Sequence, residues 1–375
     1  MSLRTNSEAG ADTSIGNPLV GRHLLGLSRD PILDAPKMST APRLSPNQGP
    51  SEDRAPSRQG PGGIPLVAIV GPTASGKSSL GVKLAQKFGG EVLACDSTQV
   101  YRGFDIGTAK PTIEEREGVP HHLLDLVDPD FPFTAGEYRS RAVAALEDLR
   151  LRSRLPVLTV GTGLYLRALL EGLADAPARS EELRARLESR AVAHSLQYLH
   201  RVLRRLDPEA ALRIGSRDRP KMIRAIEVCL LTGRPLSEIH QAGRTPLVGY
   251  HPIKIGLQPP RAALYERIET RVHRMVDHGW LEEVSGLTSS GVSENAKPFD
   301  FIGYSELHAH LEGTVTLAAA TKAIAQATRR YAKRQVTWFR KEPLVHWFTG
   351  FGDDPAIVAA VEQIVAGNAQ SSVAS

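Results

Sequence analysis

The 375-residue sequence predicts an α/β protein: a P-loop core built on a parallel sheet flanked by helices, with a helical insertion domain. Three observations predict it. The apolar run at residues 66–70 is followed at once by Gly71-Pro72-Thr73-Ala74-Ser75-Gly76-Lys77-Ser78, a phosphate cradle set between a strand and a helix. Two more short apolar runs, residues 91–95 and 156–160, each end in polar residues, and the carboxyl ends of strands are where open parallel sheets bind ligands. Residues 174–250 then change character, with Leu183, Leu187, Leu196, Leu199, Leu203 and Leu206 recurring at helical spacing among Arg and Glu.

Along the chain, residues 1–63 are rich in Pro, Ser, Gly and Arg with no sustained period, and read as a disordered leader that buries too little surface to offset its ordering entropy. Glu8, Asp12, Asp30 and Asp34 are out of character for a transit peptide, the apolar patch at residues 24–27 is too short for a signal sequence, and Met38 is an alternative start. Residues 64–173 form the first part of the core. In the P-loop the glycines allow a tight turn that aims backbone N–H groups inward, Lys77 adds a point charge, and Ser78 can hold a divalent ion. Leu80, Leu84 and Phe88 give the following helix its apolar face and Gly89-Gly90 its stop. The next strand ends in Asp96-Ser97-Thr98-Gln99-Val100-Tyr101, placing a carboxylate and an amide at a ligand-facing edge; a lone Asp there would otherwise be a turn residue or a helix cap. Thr108 and Lys110 lie in a turn that can order this loop, and Thr162 follows the strand at residues 156–160.

Residues 174–250 are read as the helical insertion, residues 253–258 as a strand returning to the sheet, and residues 251–354 as the second part of the core. Residues 355–375 form a C-terminal helix that frays from Gln370. The helical pattern at residues 267–275 carries Arg271 beside the apolar positions Ile268, Val272 and Met275. Between Glu312 and Glu342 no acidic residue occurs, while Lys322, Arg329, Arg330, Lys333, Arg334, Arg340 and Lys341 accumulate around Tyr331, Trp338 and Phe339. A seam through Ile324, Tyr331 and Gln335 packs this helix, and its cationic face fits the backbone of a nucleic acid.

Five stretches together carry a family resemblance: the P-loop at residues 71–78, Asp96-Ser-Thr-Gln-Val-Tyr101, Asp105-Ile-Gly-Thr-Ala-Lys-Pro111, Gly161-Thr-Gly-Leu-Tyr165 and Lys333-Arg-Gln-Val-Thr-Trp338. Over residues 66–347, in order and spacing, the chain resembles the bacterial tRNA dimethylallyltransferases. The resemblance implies a donor, dimethylallyl diphosphate, an acceptor, N6 of adenosine 37 in the anticodon stem-loop of certain tRNAs, and Mg²⁺ as cofactor. It implies that the P-loop holds a diphosphate leaving group rather than a triphosphate, that Arg271 reaches that diphosphate, and that the helical lobe grips the anticodon arm. Val160 stands where the family has the first of two glycines before the threonine, and Arg219-Pro220-Lys221 where it has Pro-x-Arg.

On this reading Asp96 takes the N6 proton, Lys77, Ser78 and Arg271 stabilise the diphosphate, and Thr162 contacts donor or nucleic acid. Contacts to tRNA are expected from Asp96, Ser97, Thr98, Gln99, Thr162, Arg184, Lys221, Arg224, Lys333 and Arg334. Arg186, beside Arg184, is a further basic candidate. Composition agrees: the formal charge of +5 suits a polyanionic partner, and no stretch approaches the roughly eighteen apolar residues that span a membrane. Cys95 and Cys229, each in an apolar run, are expected as reduced core residues, His121 and His122 fit no standard zinc spacing, and a cytoplasmic monomer is expected. The alternatives are a prenyltransferase acting on free AMP, which would not need the basic helix; a P-loop kinase, which would need a strand ending in a clear Walker B aspartate; and a non-catalytic RNA-binding module, which would not need a phosphate cradle.

Overall fold

A computed structural model describes residues 63–373. The leader expected at residues 1–63, with Met38, lies outside the described residues except for Gly63, which precedes the first strand. Six strands form one parallel sheet among the described residues: β1 (Ile64–Val70), β2 (Glu91–Cys95), β3 (His121–His122), β4 (Pro156–Val160), β5 (Tyr250–Leu257) and β6 (Val345–Phe348), in the order β3-β2-β4-β1-β5-β6. β1 is buried on both faces, as its unbroken run Leu66, Val67, Ala68, Ile69, Val70 requires of a central parallel strand. β1 pairs with β4 on one side, Val70 opposite Val160, and with β5 on the other, Val70 opposite Gly256.

Each sheet face has its own helical cover. On one side Leu66, Ala68, Val70, Leu93, Cys95, Leu158 and Val160 pack against α2 (Ala135–Leu151) and α3 (Gly163–Leu170) through Tyr138, Leu146, Leu166 and Leu169. On the other, Val67, Ile69, Val157, Ile253 and Ile255 pack against α1 (Lys77–Phe88), through Leu80 and Leu84, and α13 (Pro355–Val373), through Ile357, Val361 and Val365. α1 ends as its sequence requires: Gly89 caps it with φ 62°, and its N–H reaches Ala85 O. Cys95 is fully buried, which pushes its thiol up to about 12, and both cysteines are free.

Between α3 and β5 the chain makes α4 (Glu181–His194), α5 (Leu196–Leu206), α6 (Pro208–Arg213), α7 (Arg219–Thr232) and α8 (Leu236–Gln241). They bury a separate cluster containing Leu187, Leu199, Leu203, Met222, Ile223 and Ile226. Two buried carboxylates fix its loops. Asp207 accepts from Ala210 N at 2.9 Å, Ser237 N at 2.8 Å and Ser237 Oγ at 2.7 Å. Glu227 accepts from Ser180 N at 2.8 Å, Arg184 Nε at 3.1 Å and Arg224 Nη1 at 2.8 Å. A further cluster joins α9 (Arg261–Met275), α10 (Leu281–Ser289), α11 (Tyr304–Leu311) and α12 (Leu317–Phe339) to Val100, Tyr101 and Phe104 of the loop after β2.

One ion cluster pins the start of β2. Glu91, 5 % exposed, accepts from both guanidinium nitrogens of Arg152 and sits 2.6 Å from His122 Nε2. The Arg152 hydrogen bonds, against the opposing push of burial and with help from His122, hold the Glu91 carboxyl at about 2, below its ordinary value of 4.5. Because the folded value is depressed, this stabilisation is complete above about 4.5 and is lost as the pH falls toward 2. Arg152→Met is therefore expected to destabilise the fold at neutral pH and to raise the midpoint of acid unfolding, read by circular dichroism.

Candidate active site

Three adjacent strands deliver the site. β2, β4 and β1 end side by side, and at about 4.8 Å per strand the outer two tips stand about 10 Å apart. The β1 tip is the phosphate cradle. Ala74 takes a left-handed φ of 62° and Gly76 one of 87°, the alternation that turns successive N–H groups into one concavity. The cradle is walled from behind by the segment after β6: Gly352 N donates to Ser75 O at 2.9 Å, and a Cβ on Gly76 would stand 2.8 Å from Gly352 N. Arg267 holds that wall through both Asp353 carboxylate oxygens at 2.9 Å and lies over the Phe351 ring.

Lys77 folds back over the loop, its Nζ donating to Gly71 O at 3.0 Å and Pro72 O at 2.7 Å. Desolvation in this crevice lowers its ammonium to about 7; the Asp96 charge opposes that shift and Arg271 adds to it. The three expected site residues thus share one electrostatic environment. Arg271 comes from α9, with Nη1 3.5 Å from Thr73 Oγ1, and burial lowers its pKa from the ordinary arginine value. A guanidinium stays charged even so. Ser78 is exposed in the first turn of α1, and the buried Ser75 hydroxyl, on the Gly71 side of the loop, has no hydrogen-bond partner among the described residues.

Asp96 stands at the β2 tip. Its Oδ1 accepts from Thr98 N at 2.8 Å and Thr98 Oγ1 at 2.7 Å, which fixes the carboxylate plane. Its Oδ2 faces Gly161 at the β4 tip so closely that an added Cβ there would stand 1.8 Å away. The glycine needed for close approach is thus Gly161, while Val160, where the family resemblance expects a glycine, is a fully buried core residue. Thr162 ties the same two tips together: its Oγ1 accepts from Ser97 N at 2.9 Å and lies 3.1 Å from Ser97 Oγ. Gln99 spends its amide N–H groups on Thr108 O and Ala109 O, at 3.2 and 3.0 Å. Lys110, almost wholly buried, gathers Tyr101 O, Asp105 and Asp125 at 2.5–2.6 Å, and Thr108 Oγ1 donates to Phe104 O at 2.6 Å. Both residues therefore brace the loop, as expected of its turn.

The basic residues divide into two groups. Arg184 and Arg224 clamp the buried Glu227 inside the helical lobe, whereas Lys221, paired locally with Asp218 at 2.5 Å, stays exposed on its surface. On α12 and the turn that follows it, by contrast, Lys322, Arg330, Lys333, Arg334, Arg340 and Lys341 are exposed, and Arg329, with Glu269 at 3.2 Å, is the only one of the seven cations there paired with a carboxylate among the described residues. Arg167, Lys333, Arg334, Thr337, Trp338 and Lys341 line a cleft of about 320 Å³ on this face. No helix among the described residues is long and apolar enough to cross a membrane, and none of their His, Cys, Asp and Glu side chains cluster as a metal site.

Sequence reasoning missed the contribution of α12 to the site itself. Gln335, 6 % exposed, donates from Nε2 to Gly161 O at 2.8 Å and accepts at Oε1 from Thr73 N at 2.7 Å; Tyr331 OH also reaches Gly161 O, at 3.3 Å. A glutamine on an otherwise apolar seam was the available signal, because a buried amide must find partners. Glu283 was missed as well: it receives Asp105 N, Ile106 N and Gly107 N at 3.0, 2.7 and 3.3 Å and the Tyr304 hydroxyl at 2.6 Å, anchoring the turn beyond Asp96. Nothing local in the sequence pairs residues so far apart.

A parallel P-loop sheet that sets a phosphate cradle and an ionisable carboxylate on neighbouring strand tips, beside a cationic helix face, defines a P-loop enzyme for a polyphosphate-bearing substrate and a polyanionic partner. The family model described as IPP transferase matches residues 99–342, more than half of the chain. A tRNA dimethylallyltransferase of Koribacter versatilis is 51 % identical over 300 residues, covering 80 % of this chain and 97 % of that protein. One from Solibacter usitatus is 49 % identical over 294 residues, covering 78 % and 95 %. Among solved structures, the full-length tRNA isopentenylpyrophosphate transferase of Bacillus halodurans superposes with a TM-score of 0.61 at 39 % identity, covering 82 % of this chain and 97 % of that one. A eukaryotic dimethylallyltransferase acting on tRNA superposes with a TM-score of 0.70 at 27 % identity, covering 81 % and 78 %. The chain belongs to the IPP transferase family.

Proposed function

We propose that this enzyme transfers a dimethylallyl group from dimethylallyl diphosphate to N6 of adenosine 37, beside the anticodon of tRNA, and releases diphosphate. The observation that carries the reading is the placement of Asp96 against Gly161 at the β4 tip, one strand from the P-loop: its carboxylate reaches across that tip toward Lys77, whose charge it influences, so the base and the diphosphate seat face a common space for the reacting carbon. The N6 lone pair forms a bond to C1 of the donor as the C1–O bond breaks, the bonding pair leaves with the diphosphate, and the N6 proton passes to Asp96. Lys77 and the loop amides receive the charge that develops on the leaving group, with Arg271 on its other side. Ser78, exposed at the helix start, would hold a Mg²⁺ with its hydroxyl, and the ion would supply further neutralisation of the leaving group. Lys333 and Arg334 meet the phosphodiester backbone of the anticodon arm. Arg184 and Arg224 support the lobe that approaches it, Lys221 on the surface of that lobe contacts the tRNA, and Thr162, Ser97, Thr98 and Gln99 hold the rim into which the adenine swings. A base already outside a duplex costs only a few kcal/mol to extrude.

The test is to incubate the protein with Mg²⁺, radiolabelled dimethylallyl diphosphate and either unmodified tRNA bearing A36-A37 or free AMP. Label entering tRNA alone is the expected result. Label in AMP would move the enzyme to the free-nucleotide branch, and ATP consumption with no label transfer would make it a kinase.

The low pKa of Lys77 gives a pH signature. Lys77 is cationic below about 7 and loses its charge above it, so kcat/KM for the donor is expected to fall as the pH rises from about 6 to about 9. In Lys77→Arg, whose side chain stays protonated, that falling limb disappears at a lower overall rate.

A further inference from the structure

We propose that Gln335 is a positioning residue for the transfer reaction, setting the distance between the diphosphate cradle and the base. Among the described residues its amide is the one side chain that hydrogen-bonds both tips: Oε1 accepts from Thr73 N at 2.7 Å, within the P-loop, and Nε2 donates to Gly161 O at 2.8 Å, on the β4 tip. Each end leads directly to reacting machinery. Thr73 carries the hydroxyl that faces Arg271, at 3.5 Å, and Gly161 is the residue against which the Asp96 carboxylate lies. The backbone joins these tips only through β1 and β4, whose ladder of paired residues ends at Val70 and Val160, so beyond that point Gln335 takes over the spacing.

The chemistry of the residue fits this task and no other side chain does it as well. A primary amide presents one acceptor and two donors in a fixed plane, so it can take an N–H on one side and give an N–H to a carbonyl on the other without carrying charge next to the diphosphate. Burial makes both bonds costly to lose. Gln335 is itself held by α12, whose Phe339 and Ala332 are fully buried in two different clusters on either side of it. The Thr73 N–H is thereby withdrawn from the set that faces phosphate, leaving the cradle to the remaining amides.

The inference rests on the proposed roles of Asp96 and the P-loop, and its test separates its failure from theirs. In the labelling assay with the full chain, Gln335→Met, close in shape but without either bond, is expected to lower kcat by roughly 10–100-fold, because a misplacement of about 1 Å between reacting groups costs on that order. KM for tRNA should stay within about twofold, with a cooperative melt by circular dichroism. A kcat within about twofold of the wild type in that folded variant overturns the proposal. Gln335→Glu gives a second, independent reading. Its protonated carboxyl offers the same donor and acceptor as the amide, while the ionised form points a negative oxygen at Gly161 O. The variant-to-wild-type rate ratio is expected to rise as the pH is lowered from about 8 to about 5.5; a flat ratio overturns the bridging role, and this holds even if the Met variant does not fold. Asp96→Asn run alongside judges the base separately: a full rate there removes Asp96 from the chemistry, whatever Gln335 does.

Discussion

Asp96→Asn is expected to lower kcat by about 10²–10⁴-fold while leaving the dissociation constant for tRNA within about twofold. The amide keeps an oxygen for the Thr98 N–H and hydroxyl, which now bond Oδ1 at 2.8 and 2.7 Å, so the β2 tip should hold its shape. What the amide cannot do is accept the N6 proton, and an adenine amine whose lone pair is delocalised into its ring is a poor nucleophile without that help. Single-turnover labelling with saturating donor reads the chemical step alone. A loss below tenfold would remove Asp96 from the base role and leave it as a wall of the site.

Gly161→Ala is expected to cost about as much, at least about 10²-fold in kcat, although it touches no ionisable group. Its Cβ would stand 1.8 Å from Asp96 Oδ2 and 2.8 Å from Cγ, closer than any real contact, so one of the two must move. The backbone of Gly161 has little freedom to retreat: its N–H is bonded to Cys95 O at 3.0 Å and its carbonyl receives Gln335 and Tyr331. The carboxylate therefore has to give way. Gly286→Ala, on α10 with nothing within 4 Å of the added carbon, is the control. It should leave kcat unchanged and stabilise the helix by about 0.5–1 kcal/mol. Equal activity in the two variants would mean that the position of Asp96 does not govern the rate.

The local rules were legible. The turn chemistry of residues 71–78 between an apolar strand and an apolar-faced helix, the runs that became β2 and β4, and the acid-free stretch that became α12 are all short-range patterns, and the structure has the corresponding elements within a few residues. β5 begins at Tyr250, three residues before the expected start at residue 253, because Ile64 to Val70 of β1 pairs along its whole length. Elements without a strong local pattern passed unread. β3 is two residues, paired only with β2, and β6 is a four-residue edge strand whose His346 and Trp347 face solvent, so neither shows the apolar run of a central strand.

The site divides along the same line. Which chemical groups are present, Lys77, Ser78, Asp96 and Arg271, follows from motifs, because a phosphate cradle and a strand-end carboxylate are built from consecutive residues. How those groups are held does not. Gln335 and Thr73 are separated by 262 residues, and Glu283 lies 176–178 residues from the turn it anchors. Arg184 and Arg224, cationic candidates in the sequence, turn out to satisfy a buried Glu227. By itself the sequence determined the fold class and the reacting groups, since backbone propensity and hydrophobic period act over a few residues. The tertiary structure alone decided the spacing of base and cradle and the partners of each arginine, because a buried hydrogen bond or ion pair is set by which distant strand ends and helices the core brings within 3 Å.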